Sequence, residues 1–128
     1  MPCVYAPFDV RLTHQSKADK DITTVVQPDL CVICDPEKID EKGAIGAPDI
    51  VVEVLSPGNN TKELQIKYAL YEEFGVKEYW IVHPIKRIVL KHVLSVDGKY
   101  STEGPFSRED QFTSSVLPGF SLNIGELF

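Results

Sequence analysis

Three charged residues occupy positions where the surrounding sequence is apolar. Asp29 interrupts the run VVQPDLCVIC, Glu53 interrupts IVVEVL, and Lys67 lies on one helical stripe with Leu64 and Tyr71. A charge in a buried element costs several kcal/mol unless it is paired or bound to a metal ion. Carboxylates suit Mg²⁺ or Mn²⁺, which polarise a phosphate and activate water, and a lysine stabilises the added negative charge. The three residues therefore predict phosphodiester chemistry.

Alternation along strands indicates how these side chains could meet. Residues two apart share a face, so Asp29 lies on the face of Cys31, and Asp49 lies on the face of Glu53. If the two strands are neighbours, Asp29 and Glu53 converge near the strand ends, with Asp49 as an auxiliary acid. A purely structural interpretation stays open, in which Asp29 accepts backbone hydrogen bonds and Glu53 forms a buried ion pair with Lys67.

The elements that must position these residues follow from apolar runs and breaks. Asn60 and Glu63 form a capping-box arrangement, and Gly75 is a natural stop, so a helix is predicted between Asn60 and Gly75. Strand, helix and strand with short joints predict a βαβ unit with parallel strands and a right-handed crossover. The predicted strands that flank and precede this helix are Thr23–Cys34, Ala47–Pro57 and Glu78–Pro84.

The remaining segments complete the predicted class. The alternation in Val4–Leu12 predicts an edge strand, and Asp97-Gly98 predicts a hairpin. The polar segment Asp35–Gly46 predicts a solvated connection with at most one helical turn. The fold class is α/β or α+β: a mixed β-sheet with a covering helix and a C-terminal antiparallel hairpin.

The order of these motifs resembles a known family. The chain is similar to the Uma-two-type restriction endonucleases, the domain of unknown function 820, in four successive segments. These are VQPDL, then APDIVVEVLSP, then a helix with Lys67 and Tyr71, and then FGVKEYWIVHP. That family belongs to the PD-(D/E)xK nuclease-like superfamily, so the resemblance implies a restriction-endonuclease-like fold. It implies Asp29 as the aspartate of the PD motif, Glu53 as the acid of the core strand and Lys67 as the lysine.

Some positions depart from the family pattern. Leu55 stands where the usual lysine follows the acid, and the resemblance implies that Lys67 on the next helix replaces it. His83 stands where the family usually has an acid, which makes it an auxiliary candidate. Family members usually begin with a further helical segment, so we expect that the N-terminal helix is missing and that its uncovered sheet face favours a homodimer or higher homo-oligomer.

Composition limits the class of protein. The chain has 128 residues, 43% hydrophobic residues and a formal net charge of −6, which predicts a single domain over residues 1–128 and argues against a protein that coats DNA by bulk charge. No apolar run reaches the length of a membrane-spanning helix, and a cytoplasmic location is expected. Cys31 and Cys34 point to opposite faces of a strand, so they predict small apolar residues in a reducing environment rather than a zinc site.

Two main hypotheses follow. The first is a divalent-metal-dependent nuclease that uses Mg²⁺ or Mn²⁺, with Asp29 and Glu53 as metal ligands and DNA as its substrate. The second is an inactive member of the same fold that acts as a homo-oligomeric interaction module. A weaker third hypothesis is a small-molecule binder that uses the same pocket.

Overall fold

The strands and helices are taken from a computed structural model that describes residues 4–6 (backbone only), 9–13, 24–58 and 61–128. In chain order the strands are β1 (Val4–Ala6), β2 (Val10–Leu12), β3 (Thr24–Val26), β4 (Leu30–Ile33), β5 (Ile39–Asp40), β6 (Gly43–Ile45), β7 (Ile50–Val54), β8 (Glu78–His83), β9 (Ile88–Leu94), β10 (Tyr100–Phe106), β11 (Gln111–Thr113) and β12 (Ser121–Asn123). Helix α1 (Thr61–Phe74) joins β7 to β8, α2 (Ile124–Leu127) follows β12, and a 3₁₀ turn covers Pro36–Lys38.

The strands form three sheets. The main sheet has the order β1-β4-β7-β8-β9-β10, in which β7 and β8 run parallel and the other neighbours run antiparallel. A second sheet has the order β3-β2-β6-β5, and β11 pairs with β12. The predicted class of a mixed sheet with one main helix and a C-terminal antiparallel hairpin is confirmed.

Helix α1 connects the two parallel strands, as the sequence predicts. Gly75 follows the helix with a φ of 81°, and its N–H donates to the carbonyl of Glu72. The N–H of Val76 donates to the carbonyl of Tyr71, which completes a Schellman C-cap. The predicted stop at Gly75 is therefore confirmed, whereas the predicted cap Asn60 lies outside the described residues.

The predicted strand Thr23–Cys34 is wrong in one respect, because two strands in different sheets replace it. Residues 24–26 pair with β2, and residues 30–33 pair with β1 and β7. Pro28 lies between them and has no N–H to donate to a β-ladder, so the chain changes sheets there. The predicted strand Val4–Leu12 is divided in the same way between β1 and β2, and the connection 35–46 contains the β5–β6 hairpin.

The main sheet buries both faces, which accounts for its apolar strands. Cys31, Val51 and Tyr79 belong to a core cluster that includes Tyr71 of α1. On the other face Val32, Ile50 and Val52 form a second cluster. The two cysteines separate as predicted, because Cys31 joins the first cluster and Cys34 packs on the second. Cys31 is a free buried thiol, but Cys34 is disulfide-bonded, so the prediction of a reduced cysteine is wrong for Cys34.

No helix in the described part of the chain is long and apolar enough to cross a membrane.

Candidate active site

Asp29 and Glu53 lie opposite each other, where β4 begins and β7 ends. The antiparallel register pairs Leu30 of β4 with Val52 of β7. Asp29, which precedes Leu30, therefore lies beside Glu53, which follows Val52. The backbone N–H of Asp29 donates to Glu53 Oε1 at 3.0 Å, and the N–H of Val54 donates to Asp29 Oδ2 at 2.7 Å. The backbones of the two strands therefore fix the position of both carboxylates.

Lys67 reaches these carboxylates from helix α1. Its Nζ lies 2.5 Å from Glu53 Oε2, and its side chain is 37% exposed, whereas the Glu53 side chain is 4% exposed. The Lys67 side chain is therefore directed toward the sheet rather than away from it. The ammonium group is therefore placed at the border between a buried carboxylate and solvent.

The three side chains line one small cleft of about 180 Å³. The residues that border it are Gln27, Asp29, Glu53, Val54, Leu55, Ser56, Glu63, Leu64 and Lys67. Gln27, Ser56 and Glu63 were not predicted as site residues from the sequence. Their positions give the signal that could have found them, because Gln27 precedes the Pro28–Asp29 break, and Ser56 and Glu63 lie on either side of the joint between β7 and α1.

Two buried tyrosines lie within electrostatic range of Glu53. Tyr71 of α1 and Tyr79 of β8 are fully buried, with ring centroids 4.9 Å apart. Among the described residues neither hydroxyl has a hydrogen-bond partner. Burial raises the pKa of both phenols, and the charge of Glu53 raises them further. Both groups therefore remain neutral near the buried carboxylate.

Asp49 lies away from the cleft. It precedes β7, four residues before Glu53, which corresponds to roughly 13 Å along an extended strand. Asp49 Oδ2 accepts a hydrogen bond from the N–H of Cys34 at 2.8 Å, and Oδ1 lies 3.3 Å from Lys77 Nζ. The structure thus does not bring the predicted auxiliary acid together with Asp29 and Glu53, and its contacts join the far ends of β4 and β7.

His83 ends β8 beside the cleft but does not border it. It lines an adjoining cavity of about 240 Å³ that shares Leu55, Ser56 and Leu64 with the cleft. Burial lowers the pKa of His83, and the neighbouring Lys86 lowers it further. A neutral imidazole therefore lies next to the predicted site.

The fully buried Glu78 provides a contrast with Glu53. Its carboxylate accepts hydrogen bonds from Trp80 Nε1 and from Ser114 and Ser115, all between 2.7 and 2.9 Å. Burial alone would raise the pKa of Glu78, but these hydrogen bonds outweigh it and lower the pKa. Neutral donors thus satisfy Glu78 inside the protein, whereas Glu53 depends on a charged, partly exposed lysine at a cleft.

The acids of the cleft are of a kind that Mg²⁺ takes as ligands. Both contacts of the purely structural interpretation are also present. They are the hydrogen bond from the Val54 N–H to Asp29 and the ion pair between Glu53 and Lys67. Within the described residues no group of three or more His, Cys, Asp or Glu side chains could hold a metal ion. Mg²⁺ is, however, commonly held by one or two carboxylates together with water and substrate phosphate. Asp29 and Glu53 provide two such carboxylates.

Comparisons with known proteins identify relatives of the chain. A family model described as Uma2, "Putative restriction endonuclease", matches residues 6–125. A crystal structure described as a putative nuclease belonging to DUF820 from Anabaena variabilis matches 98% of this chain and 68% of that chain, with a TM-score of 0.72 and 19% sequence identity. No curated protein matches the chain significantly. At this identity the crystal structure shows that the fold is shared.

Proposed function

We propose that this protein, which belongs to the Uma2 family of putative restriction endonucleases, is a divalent-metal-dependent nuclease that acts on DNA. The observation that supports the proposal is the convergence of Asp29, Glu53 and Lys67 on one cleft. The proposal is supported by a family model described as a putative restriction endonuclease and by a shared fold with a protein described as a putative nuclease. The three side chains offer the acids and the cation that phosphodiester hydrolysis requires.

Asp29 and Glu53 are the proposed ligands of Mg²⁺ or Mn²⁺. Asp29 is exposed at the cleft, while Glu53 is buried and fixed by two hydrogen bonds. A carboxylate can accept about four hydrogen bonds or metal contacts, so those that it makes inside the protein leave capacity for an ion. A divalent cation bound there would supply Lewis acidity at a phosphate oxygen and lower the pKa of an attacking water.

Lys67 is the proposed residue that stabilises charge on the substrate. Its ammonium group is partly exposed at the cleft and is held there by Glu53 at 2.5 Å. A phosphodiester in the cleft would compete with Glu53 for this ammonium group, because both are anions. The lysine can then donate to a phosphate oxygen as negative charge builds up in the transition state. Its four-carbon stem allows this shift without movement of the helix.

His83 and Asp49 receive different roles. His83 is neutral at pH 7 because burial lowers its pKa, and it lies beside the cleft, so it remains an auxiliary candidate that could accept a proton. We assign Asp49 to the structure of the opposite strand ends, because its carboxylate joins Cys34 and Lys77 there.

A cleavage assay on plasmid DNA with Mg²⁺ or Mn²⁺ tests the proposal. We expect Asp29→Asn and Glu53→Gln to abolish cleavage, and Lys67→Ala to reduce it by about 10²-fold or more, the effect of removing one preorganised donor. Asp49→Asn is the matched control, because it changes a carboxylate outside the cleft, and it should cleave like the wild type. Equal cleavage by all variants would contradict the assignment of the site.

Metal binding can be measured without activity. At a Mn²⁺ concentration ten times the Kd, binding to the folded state alone adds about 1.4 kcal/mol of stability, which raises the Tm. We expect this increase in the wild type and in Asp49→Asn but not in Glu53→Gln. A wild-type protein that neither cleaves DNA nor gains stability from Mn²⁺ would favour the inactive interaction module, and its oligomeric state would then become the relevant measurement.

A further inference from the structure

The turn between β8 and β9 combines an exposed apolar residue with two cations. Residues 84–87 are all exposed, and Ile85 is 78% exposed. Lys86 and Arg87 follow it directly, and Arg87 adopts a φ of 55° in the left-handed region. A single exposed isoleucine is common on protein surfaces. The position of this one, next to the candidate active site, makes it informative.

Ile85 borders the cavity that adjoins the cleft. The apolar walls of this cavity come from Leu55, Leu64, Pro84 and Ile85, and the polar residues His83 and Lys86 complete much of its border. Because the cavity shares Leu55 and Leu64 with the cleft of Asp29 and Glu53, a bound chain molecule could occupy both at once. Its volume of about 240 Å³ is below the range of about 300–1,000 Å³ of drug-sized pockets, so it suits a single sugar or base.

The charges around the cavity are complementary to a phosphate backbone. Among the described residues neither Lys86 nor Arg87 forms an ion pair with an acidic side chain. Since the protein carries a net charge of −6, attraction of a nucleic acid must come from local groups such as these. The pKa of His83 is lowered by burial and by Lys86, so this ring contributes a neutral surface rather than a further cation.

We propose that this cavity and the turn 84–87 bind the nucleotide adjacent to the cleaved phosphodiester of a DNA strand. Ile85, Leu55 and Leu64 contact its base or sugar, and Lys86 and Arg87 contact the neighbouring phosphates. Apolar side chains are known to contact or separate stacked bases in this way, and cations position the backbone. The inference rests on the proposed nuclease function and assigns a binding site for its substrate.

Replacement of Lys86 and Arg87 tests whether they contact the phosphates of the bound strand. DNA binding is measured by fluorescence anisotropy of a short labelled strand in EDTA, over a series of salt concentrations. We expect the double variant Lys86→Gln/Arg87→Gln to weaken binding by about tenfold or more and to reduce the salt slope by about 1.4, roughly 0.7 for each phosphate of a single strand that the variant no longer neutralises. Lys99→Gln is the matched control, because Lys99 is an exposed cation in the β9–β10 turn at the opposite end of β9.

A second pair of variants tests the apolar contact. Ile85→Ser removes the exposed side chain at the cavity, and Val96→Ser removes a fully exposed side chain at the β9–β10 turn. We expect Ile85→Ser to weaken DNA binding by about tenfold, the effect of losing most of one buried aliphatic side chain, and Val96→Ser to leave binding unchanged. Thermal unfolding of each variant shows whether the fold is retained, which is expected because both residues are exposed.

The results separate this inference from the proposed function. If the turn variants bind DNA as tightly as the controls while Glu53→Gln loses cleavage, the binding site is wrong and the nuclease function stands. If the wild type binds no DNA, the inference is also overturned. If the turn variants lose affinity while Glu53→Gln cleaves like the wild type, the binding site is supported and the catalytic assignment fails.

Discussion

The ion pair between Glu53 and Lys67 allows a quantitative prediction about stability. The Glu53 side chain is 4% exposed and has two hydrogen bonds, one from the backbone of Asp29 and one from Lys67. Lys67→Met removes the ammonium group and leaves the carboxylate with one neutral donor. Breaking a fully buried pair in this way costs about 3–5 kcal/mol. Because Lys67 is 37% exposed, water in the cleft replaces part of its effect, and we expect a loss of about 2 kcal/mol.

The reverse change should have a smaller effect. In Glu53→Gln the amide oxygen still accepts a hydrogen bond from the backbone of Asp29, and Lys67 can extend into solvent. We expect a loss of about 1 kcal/mol or less. The double variant Glu53→Gln/Lys67→Met contains neither charge, so its loss should be smaller than the sum of the two single losses by about 1 kcal/mol.

Urea unfolding followed by the fluorescence of Trp80, the single tryptophan of the chain, measures these differences. Lys62→Met, an exposed lysine on the same helix, is the control and should change the free energy of unfolding by less than about 0.5 kcal/mol. If Lys67→Met costs no more than Lys62→Met, or if the single losses simply add, then Glu53 does not depend on Lys67 and the predicted coupling is wrong.

Three further predictions concern other buried polar groups. Tyr71→Phe should change the free energy of unfolding by less than about 1 kcal/mol, because the buried Tyr71 hydroxyl has no described partner. Tyr100→Phe should cost about 1 kcal/mol, because the Tyr100 hydroxyl donates to the carbonyl of Val76 at 2.7 Å. Chemical denaturation compares the two variants. Glu78→Gln should cost about 2 kcal/mol in the same assay, since an amide cannot accept all the hydrogen bonds of the carboxylate, and an unchanged stability would contradict this role. Burial lowers the pKa of His92 from its ordinary value of 6.5, so below that pH the unfolded chain binds more protons than the folded one. The Tm should therefore fall as the pH is lowered from 7 to about 5. The fall should be less steep in His92→Gln.

The sequence by itself determined the local features that surround the site. The alternation of side chains along a strand fixes the face on which Asp29 and Glu53 lie, and Cys31 and Val51, two residues from each, pair on that common face. Gly75 ends the helix because only its backbone adopts the required conformation without strain. The short joints of the βαβ unit led to the correct prediction that β7 and β8 are parallel.

Only the tertiary structure decided how these features combine across the chain. Alternation defines a face but not which strand is the neighbour or which end of a strand meets the site, so Asp49 was predicted as an auxiliary acid on the face of Glu53, although the register places it at the opposite end of β7. The position of Lys67 on a helical stripe does not say whether its side chain extends to solvent or toward the sheet, and the packing of α1 against the sheet places it on Glu53. Such long-range hydrogen bonds and contacts depend on residues far apart in sequence, and no local pattern encodes them.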